Sequence, residues 1–128
     1  MYNTSEKSAR YTGPVEVSKS CVLKASAIRK DMTPRVFTYQ FDFHKATGHK
    51  ATVSGSDNGA CLTDALRGPA IHKRQEWVAT VSKPMEVLID MEGSEAYSSV
   101  RVGTLVLKPK RLFNPTYISV SVSEDGQN

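Results

Sequence analysis

The chain has 128 residues, which is the size of one ordinary domain and too few for two separate hydrophobic cores. Hydrophobic residues make up 39% of the chain and charged residues 23%, a balance typical of a globular protein and not of a disordered one. The formal net charge of +4 at pH 7 is mildly basic, so it allows a polyanionic partner without requiring one.

Signals for membranes, secretion and disulfides are missing from the sequence. No run approaches the roughly 18 apolar residues of a membrane span, and residues 1–10 lack the apolar core of a secretory signal. Two cysteines, Cys21 and Cys61, are too few for a disulfide framework and match no zinc-binding spacing. We therefore expect reduced thiols, a cytoplasmic or virion-associated protein, and no membrane partner.

The N-terminal third predicts a polar arm and two strands. Residues 1–13 have no periodicity and are expected to form a loose arm. Alternating apolar positions from Val15 to Ala25 predict a first strand, followed by a turn over 30–34. Four aromatic residues then occupy every second position, which predicts the clearest strand, with Arg35 leading the same face: Phe37, Tyr39, Phe41 and Phe43.

The middle of the chain predicts a hairpin and the only helix. Residues 44–49 include Gly48 and predict a hairpin connection to a return strand over 50–54. Apolar residues at helical spacing then predict a short α-helix over about 58–67. Asp57 or Asn58 would cap its start, and the Gly68-Pro69 pair would end it.

The last part of the chain predicts further strands. Apolar residues alternate over 77–81, 85–92, 100–107 and 117–122, and residues 123–128 form a polar tail that should fray. About seven strands and one helix in a single domain, 1–128, predict a mostly β protein: an antiparallel β-sandwich or an OB-like barrel. A helix after the third strand favours the OB order, whereas the surplus of later strands favours the sandwich.

The aromatic strand has two interpretations. Aromatic rings on an exposed strand are the stacking platform of single-stranded nucleic-acid binders, and Arg35 and Lys45 bracket these rings. Four rings on one face are more typical of a buried core, so the sequence favours burial. A third arrangement buries the inner rings and leaves Tyr39 or Phe43 at the rim.

Basic residues near aromatic ones form the candidate nucleic-acid site. Such clusters suit a groove that follows a phosphate backbone, although solvated surface loops have the same composition and no named RNA- or DNA-binding motif is present. The candidate residues are Arg35, Tyr39, Lys45, Arg67, Lys73, Arg74, Trp77, Lys108, Lys110 and Arg111.

No catalytic or cofactor signature is complete. There is no phosphate-binding glycine loop, and Cys61 with His72 lacks an orienting acid at a recognisable spacing. His44, His49 and Asp42 do not supply a full set of metal ligands. The sequence therefore predicts no enzyme, no cofactor and no metal.

Two functional hypotheses remain. The first is a non-catalytic module that binds single-stranded nucleic acid with weak sequence specificity through basic loops and stacking aromatics. The second is a structural or protein-interaction β protein without a nucleic-acid role, such as a homo-oligomer, a virion protein or an inhibitor.

Overall fold

The computed structural model describes residues 8–73 and 75–126, which contain four β-strands and two short 3-10 helices. The strands are β1 (Cys21–Arg29), β2 (Met32–Phe41), β3 (Lys50–Val53) and β4 (Val87–Asp90). The 3-10 helices are Gly59–Leu62 and Lys108–Lys110. Turns and irregular segments make up the rest of these ranges.

β1 and β2 form an antiparallel hairpin around a turn at Lys30 and Asp31. The register pairs Cys21 with Phe41 and continues to Ala27 with Arg35, with an irregularity between Ala27 and Arg29. Because side chains alternate along a strand, the face of Arg35 also carries the aromatic side chains of β2. The strongest strand prediction is confirmed for residues 35–41, but the strand begins at Met32, inside the predicted turn, and it ends at Phe41, so Phe43 lies outside it.

β3 and β4 form a second antiparallel pair that is separate from the first. The pairing runs from Lys50 opposite Asp90 to Val53 opposite Val87, so a cation and an anion face each other at one end. β3 agrees with the predicted return strand over 50–54, but it pairs with β4 and not with the aromatic strand. The turn over 44–49 therefore joins two sheets and is not a hairpin connection.

The best-packed region lies where residues 63–67 lie against the end of β2. The N–H of Asp42 donates to the Ala65 carbonyl at 2.7 Å, and the N–H of Arg67 donates to the Gln40 carbonyl at 2.9 Å. Thr63 and Ala65 are buried here, and Val53 is buried in β3. In the described ranges, Val53 and Ala65 are the only buried apolar side chains.

The α-helix predicted over about 58–67 is wrong, because a single 3-10 turn at Gly59–Leu62 takes its place. The carbonyls that a longer helix would use accept other donors: Gly48 N–H bonds to Thr63, and Asp42 N–H bonds to Ala65. Ala65 also has a φ of 64°, which no right-handed helix accommodates. The expected cap is absent too, since the Asn58 side chain donates to the Gln75 carbonyl instead.

The predicted seven-strand sandwich or OB-like barrel is also wrong. The described residues hold four strands in two two-stranded sheets, and no barrel closes. Residues 15–20, 77–81, 100–106 and 117–122 form no strand, and the strand predicted over 85–92 shortens to β4. A strand needs a neighbour for its N–H and C=O groups, and within the described chain these segments have none.

The predicted arm and tail are irregular where the structure describes them. Residues 8–13 and 123–126 form no helix or strand. The rest of both predictions, residues 1–7 and 127–128, lies outside the described residues, as does the candidate residue Arg74.

Candidate nucleic-acid interface

Three candidate cations lie together on one tight turn, which we call the basic turn (residues 107–112). Leu107 and Leu112 form an antiparallel bridge, with N–H to carbonyl distances of 3.0 and 3.2 Å in the two directions. The 3-10 helix between them is closed by bonds from Lys110 N–H to Leu107 and from Arg111 N–H to Lys108. Two leucines thus hold a four-residue loop of which three residues are basic.

The charges of the basic turn are not neutralised by the rest of the described chain. Lys108, Lys110 and Arg111 are all exposed, and none of the ion pairs among described residues involves them. Arg111 has a φ of 55°, in the left-handed region that only a few residue types adopt readily. This backbone conformation closes the loop.

Exposed aromatic side chains follow the basic turn directly. Phe113 is 66% exposed and Tyr117 is 79% exposed, so both rings are available for stacking. The hydroxyl of Thr104 donates to the Asn114 side-chain oxygen at 2.7 Å, which links the chain before the turn to the chain after it. Cations with an adjacent exposed ring are the combination that single-stranded nucleic-acid binders use.

Two other candidate cations are already paired with carboxylates. Arg67 donates through Nε to Asp42 Oδ2 at 2.8 Å. Lys45 lies 3.5 Å from the Glu95 carboxylate and also donates to the Ala96 carbonyl. A cation that must first leave a carboxylate gains less by neutralising a phosphate and releasing its counterion. We therefore expect Lys45 and Arg67 to bind phosphate more weakly than the cations of the basic turn.

Arg35 and Tyr39 lie on one face of β2, as predicted. The Arg35 guanidinium lies 5.7 Å from the centre of the Phe37 ring, at cation–π distance. Phe37 and Phe43 are exposed, whereas Tyr39 and Phe41 are half-buried. The aromatic residues therefore form neither a fully buried core nor a fully open platform.

The Trp77 side chain contacts residues 68 and 69 of its own chain. Its Nε1 donates to the Pro69 carbonyl at 2.7 Å, and its ring packs on Gly68 so closely that a Cβ there would lie 2.6 Å from the ring. Lys73 is exposed in the turn before Trp77. Arg74, the next candidate cation, lies outside the described residues.

The Cys61 thiol lacks the features of an activated nucleophile. The Cys61 thiol donates to the Asn58 carbonyl at 3.1 Å. Burial raises the pKa of this thiol above its ordinary value, and the nearby Asp64 carboxylate raises it further. A reactive cysteine needs the opposite shift. No group of three or more histidine, cysteine, aspartate or glutamate side chains among the described residues could hold a metal ion.

The cations of the basic turn were predicted from the sequence, but the two leucines that form the turn were not. The pattern Leu-Lys-Pro-Lys-Arg-Leu contained the signal, because apolar residues flanking a four-residue loop with a proline are typical of a hairpin end. Phe113 and Tyr117 were likewise left out of the candidate set, since their exposure depends on packing.

Comparisons with known proteins found no match to this chain among protein-family models, curated proteins or solved structures. Among the described residues, none of the helices has the length and apolar character needed to cross a membrane. Any functional proposal therefore rests on the contacts and charges of this chain alone.

Proposed function

We propose that the chain is a non-enzymatic structural subunit that associates with further copies of itself. The observation that supports this proposal is the exposed area. The chain exposes 11610 Å². A folded monomer of 14.1 kDa is expected to expose about 6,700 Å². The chain therefore shows about 1.7 times the surface of a self-sufficient domain of its mass.

Much of the exposed surface is apolar and follows the strand-like alternation of the sequence. On the C-terminal side, exposed residues of this kind are Val100, Val102, Val106, Ile118, Val120 and Val122. Monomers rarely leave so much apolar surface in water, because its burial is the main driving force for association. The excess of roughly 5,000 Å² per chain is larger than the roughly 1,000–2,500 Å² that each subunit buries in one obligate interface, so it leaves room for more than one contact.

The oligomeric state tests this proposal directly. Size-exclusion chromatography with light scattering should give a mass that is a multiple of 14.1 kDa. That mass should persist at moderate salt, because salt screens apolar burial only weakly. Thermal unfolding should also shift upward with protein concentration. A mass of 14.1 kDa at every concentration, with an unfolding midpoint independent of concentration, would contradict the proposal.

A second candidate function is binding of single-stranded nucleic acid, with weak sequence specificity, and the basic turn favours it. Lys108, Lys110 and Arg111 lack carboxylate partners among the described residues, and the exposed Phe113 follows Arg111 two positions later in the chain. In this proposal the cations contact phosphates and the ring stacks on a base. Contacts to phosphates and to ring faces carry little sequence information, which is why we expect weak specificity.

Binding of a labelled single-stranded oligonucleotide tests this second function. The affinity should fall steeply as salt rises, because each phosphate contact releases counterions. An affinity that does not change with salt would rule out the basic turn as the contact. Both functions fit the cytoplasmic location expected from the sequence, and a virion-associated protein would combine them.

A further inference from the structure

The sheet of β3 and β4 is covered along the outer edge of β3. The N–H of Ser56 donates to the Val53 carbonyl at 3.3 Å. Gly59 lies so close to the Ala51 carbonyl that a Cβ at this position would collide with it. No further strand can pair with β3 on this side, so any strand that extends the sheet must pair with β4.

The outer edge of β4 presents backbone groups in a defined direction. The N–H of Ser54 donates to the Glu86 carbonyl, and the Glu86 N–H donates to the Ser54 side-chain oxygen, both at 2.9 Å. Both backbone groups of Glu86 therefore point toward β3. Because the N–H and C=O of one trans peptide unit point in opposite directions, the Met85 carbonyl and the Val87 N–H point outward. The β3–β4 register has no irregularity, so the carbonyl of Val87 and both groups of Ile89 point outward as well.

This outer edge is unoccupied by the described part of the chain. No hydrogen bond between described residues reaches the outward groups, and all four residues of β4 are exposed. The chain before β4 bonds locally, from the Thr80 hydroxyl to the Lys83 carbonyl at 3.1 Å. The chain after β4 contacts the turn that precedes β3, where Lys45 lies 3.5 Å from the Glu95 carboxylate. The edge is therefore available to another strand.

We propose that the outer edge of β4 pairs with the same edge of a second copy, antiparallel, about a two-fold axis at Val87. This inference rests on the proposed self-association and names its contact surface. In this register Val87 pairs in both directions with Val87 of the partner subunit. The Ile89 N–H donates to the Met85 carbonyl of the partner subunit, and the reverse bond forms as well. The two copies thus build one four-stranded antiparallel sheet.

The charged side chains of β4 select this axis. Glu86 and Asp90 lie on the same face of the strand. An axis at Leu88 would place Glu86 directly opposite Asp90 of the partner subunit, twice, and like charges opposite each other are destabilising. An axis at Ile89 would extend the pairing to Glu92, where the φ of 57° shows that the strand has ended. The proposed axis places Glu86 opposite Leu88 of the partner subunit, so no two acids face each other.

The apolar face of β4 matches the same register. Val87 lies opposite the buried Val53 within the sheet. In the dimer Val87 would also face Val87 of the partner subunit, so an apolar row would cross all four strands. Beside this row, Ile89 would face Met85 of the partner subunit. Val87 is 44% exposed and Ile89 is 37% exposed, so the contact removes apolar surface from water.

A second copy is the occupant that these features favour. A pair of strands is only marginally stable in water, whereas three or more strands with an apolar face are stable. Pairing through β4 gives each copy a four-stranded sheet without any additional protein. The excess surface of roughly 5,000 Å² per chain also leaves room for a standard interface, which buries about 800 Å² of each partner.

Cysteine cross-linking tests the register in chains that also carry Cys21→Ser and Cys61→Ser. A mixture of Glu86→Cys and Leu88→Cys chains places two thiols at directly opposite, non-hydrogen-bonded positions, where Cα atoms lie about 4.5 Å apart. Leu88→Cys alone is the matched control, since its two copies would lie on a diagonal about 8 Å apart, beyond the reach of a disulfide. We expect mild oxidation to give a dimer with one chain of each kind, identified by its mass, and little dimer of Leu88→Cys alone.

Removal of one backbone donor tests the hydrogen bonds. Val87→Pro deletes an outward N–H but leaves the bonds to β3, which come from the even-numbered residues of β4. Edge strands accept proline at such positions, so the variant should fold. Val87→Ala is the control that keeps the N–H and shortens the side chain. Each dimer loses two bonds in the proline variant, so its dissociation constant should rise about tenfold relative to the alanine variant.

The outcomes separate this inference from the proposed function. A wild-type chain that stays monomeric at every concentration contradicts both. An oligomer in which Val87→Pro and Val87→Ala associate equally, or in which Leu88→Cys alone cross-links as well as the mixture does, keeps self-association and overturns pairing through β4 about Val87. Selective cross-linking of the mixture together with weaker association of Val87→Pro supports the β4 contact.

Discussion

The basic turn allows a quantitative prediction about nucleic-acid binding. The variant carries Lys108→Gln, Lys110→Gln and Arg111→Asn, which removes three charges and keeps the flanking leucines that close the turn. Asparagine replaces the arginine because it tolerates the left-handed backbone at this position better than glutamine does. The loop should therefore keep its shape while its charge is lost.

The magnitude follows from the number of unpaired cations. Each phosphate contact on a single strand contributes a slope of about −0.7 to the plot of log affinity against log salt. Three cations that each contact one phosphate contribute a slope of about −2. Raising salt from roughly 50 to roughly 200 mM should thus cost the wild type about 20-fold more affinity than it costs the variant.

A charge-matched control separates the basic turn from overall charge. Arg29→Gln, Lys45→Gln and Arg67→Gln also remove three charges, but these side chains pair with Asp31, Glu95 and Asp42. Fluorescence anisotropy of a labelled single-stranded oligonucleotide gives the slope for each protein, and circular dichroism checks that each one is folded. We expect a slope shallower by about 2 in the turn variant and a much smaller change in the control.

Either of two results would refute the reasoning. An unchanged slope in the turn variant would show that these three cations do not contact phosphates. An equal loss in both variants would show that the net charge of +4, and not the turn, attracts the nucleic acid.

Two further predictions concern packing and thiol chemistry. Gly68→Ala should lower the free energy of unfolding by about 1–3 kcal/mol, because its Cβ would collide with the Trp77 ring. Chemical denaturation followed by tryptophan fluorescence measures this change. Gly103→Ala is the control: the space around Gly103 is open, so this substitution should leave the stability nearly unchanged. Burial raises the pKa of the Cys61 thiol, so in a Cys21→Ser chain iodoacetamide should react more slowly with the native protein than with the unfolded one. Equal alkylation rates in the native and unfolded protein would contradict the raised pKa of this thiol. Because its pKa is raised, the thiol stabilises the fold at pH values below its unfolded-state pKa, and this contribution is lost as the pH rises through the folded-state pKa.

Individual strands were predictable from the sequence where a strand has a neighbour close along the chain, whereas the one predicted hairpin, over residues 44–49, was wrong. The alternation around Phe37 gave the strand and its faces correctly, because β1 precedes it and a two-residue turn joins them. The return strand over 50–54 was predictable in the same way. Its partner was not, since β4 lies more than thirty residues further on and alternation does not encode which strand pairs with which.

The errors have a common physical cause. Alternation at Val100, Val102 and Val106 shows that one face of a segment is apolar, but it does not supply a neighbour to bond with. The helical spacing of Cys61, Leu62 and Leu66 was likewise overridden by backbone bonds to the end of β2. Of the candidate site, the clustering of three cations was readable from their spacing, whereas the ion pairs of the other cations depend on tertiary contacts.

The two proposed functions affect each other through charge. Each copy carries a net charge of +4, so association gathers positive charge and is opposed by repulsion at low salt. A paired assembly would then present two basic turns to one nucleic-acid strand, which binds more tightly than either turn alone when the strand reaches both. Because coupling between two binding events is reciprocal, the same strand would stabilise the pairing of the subunits.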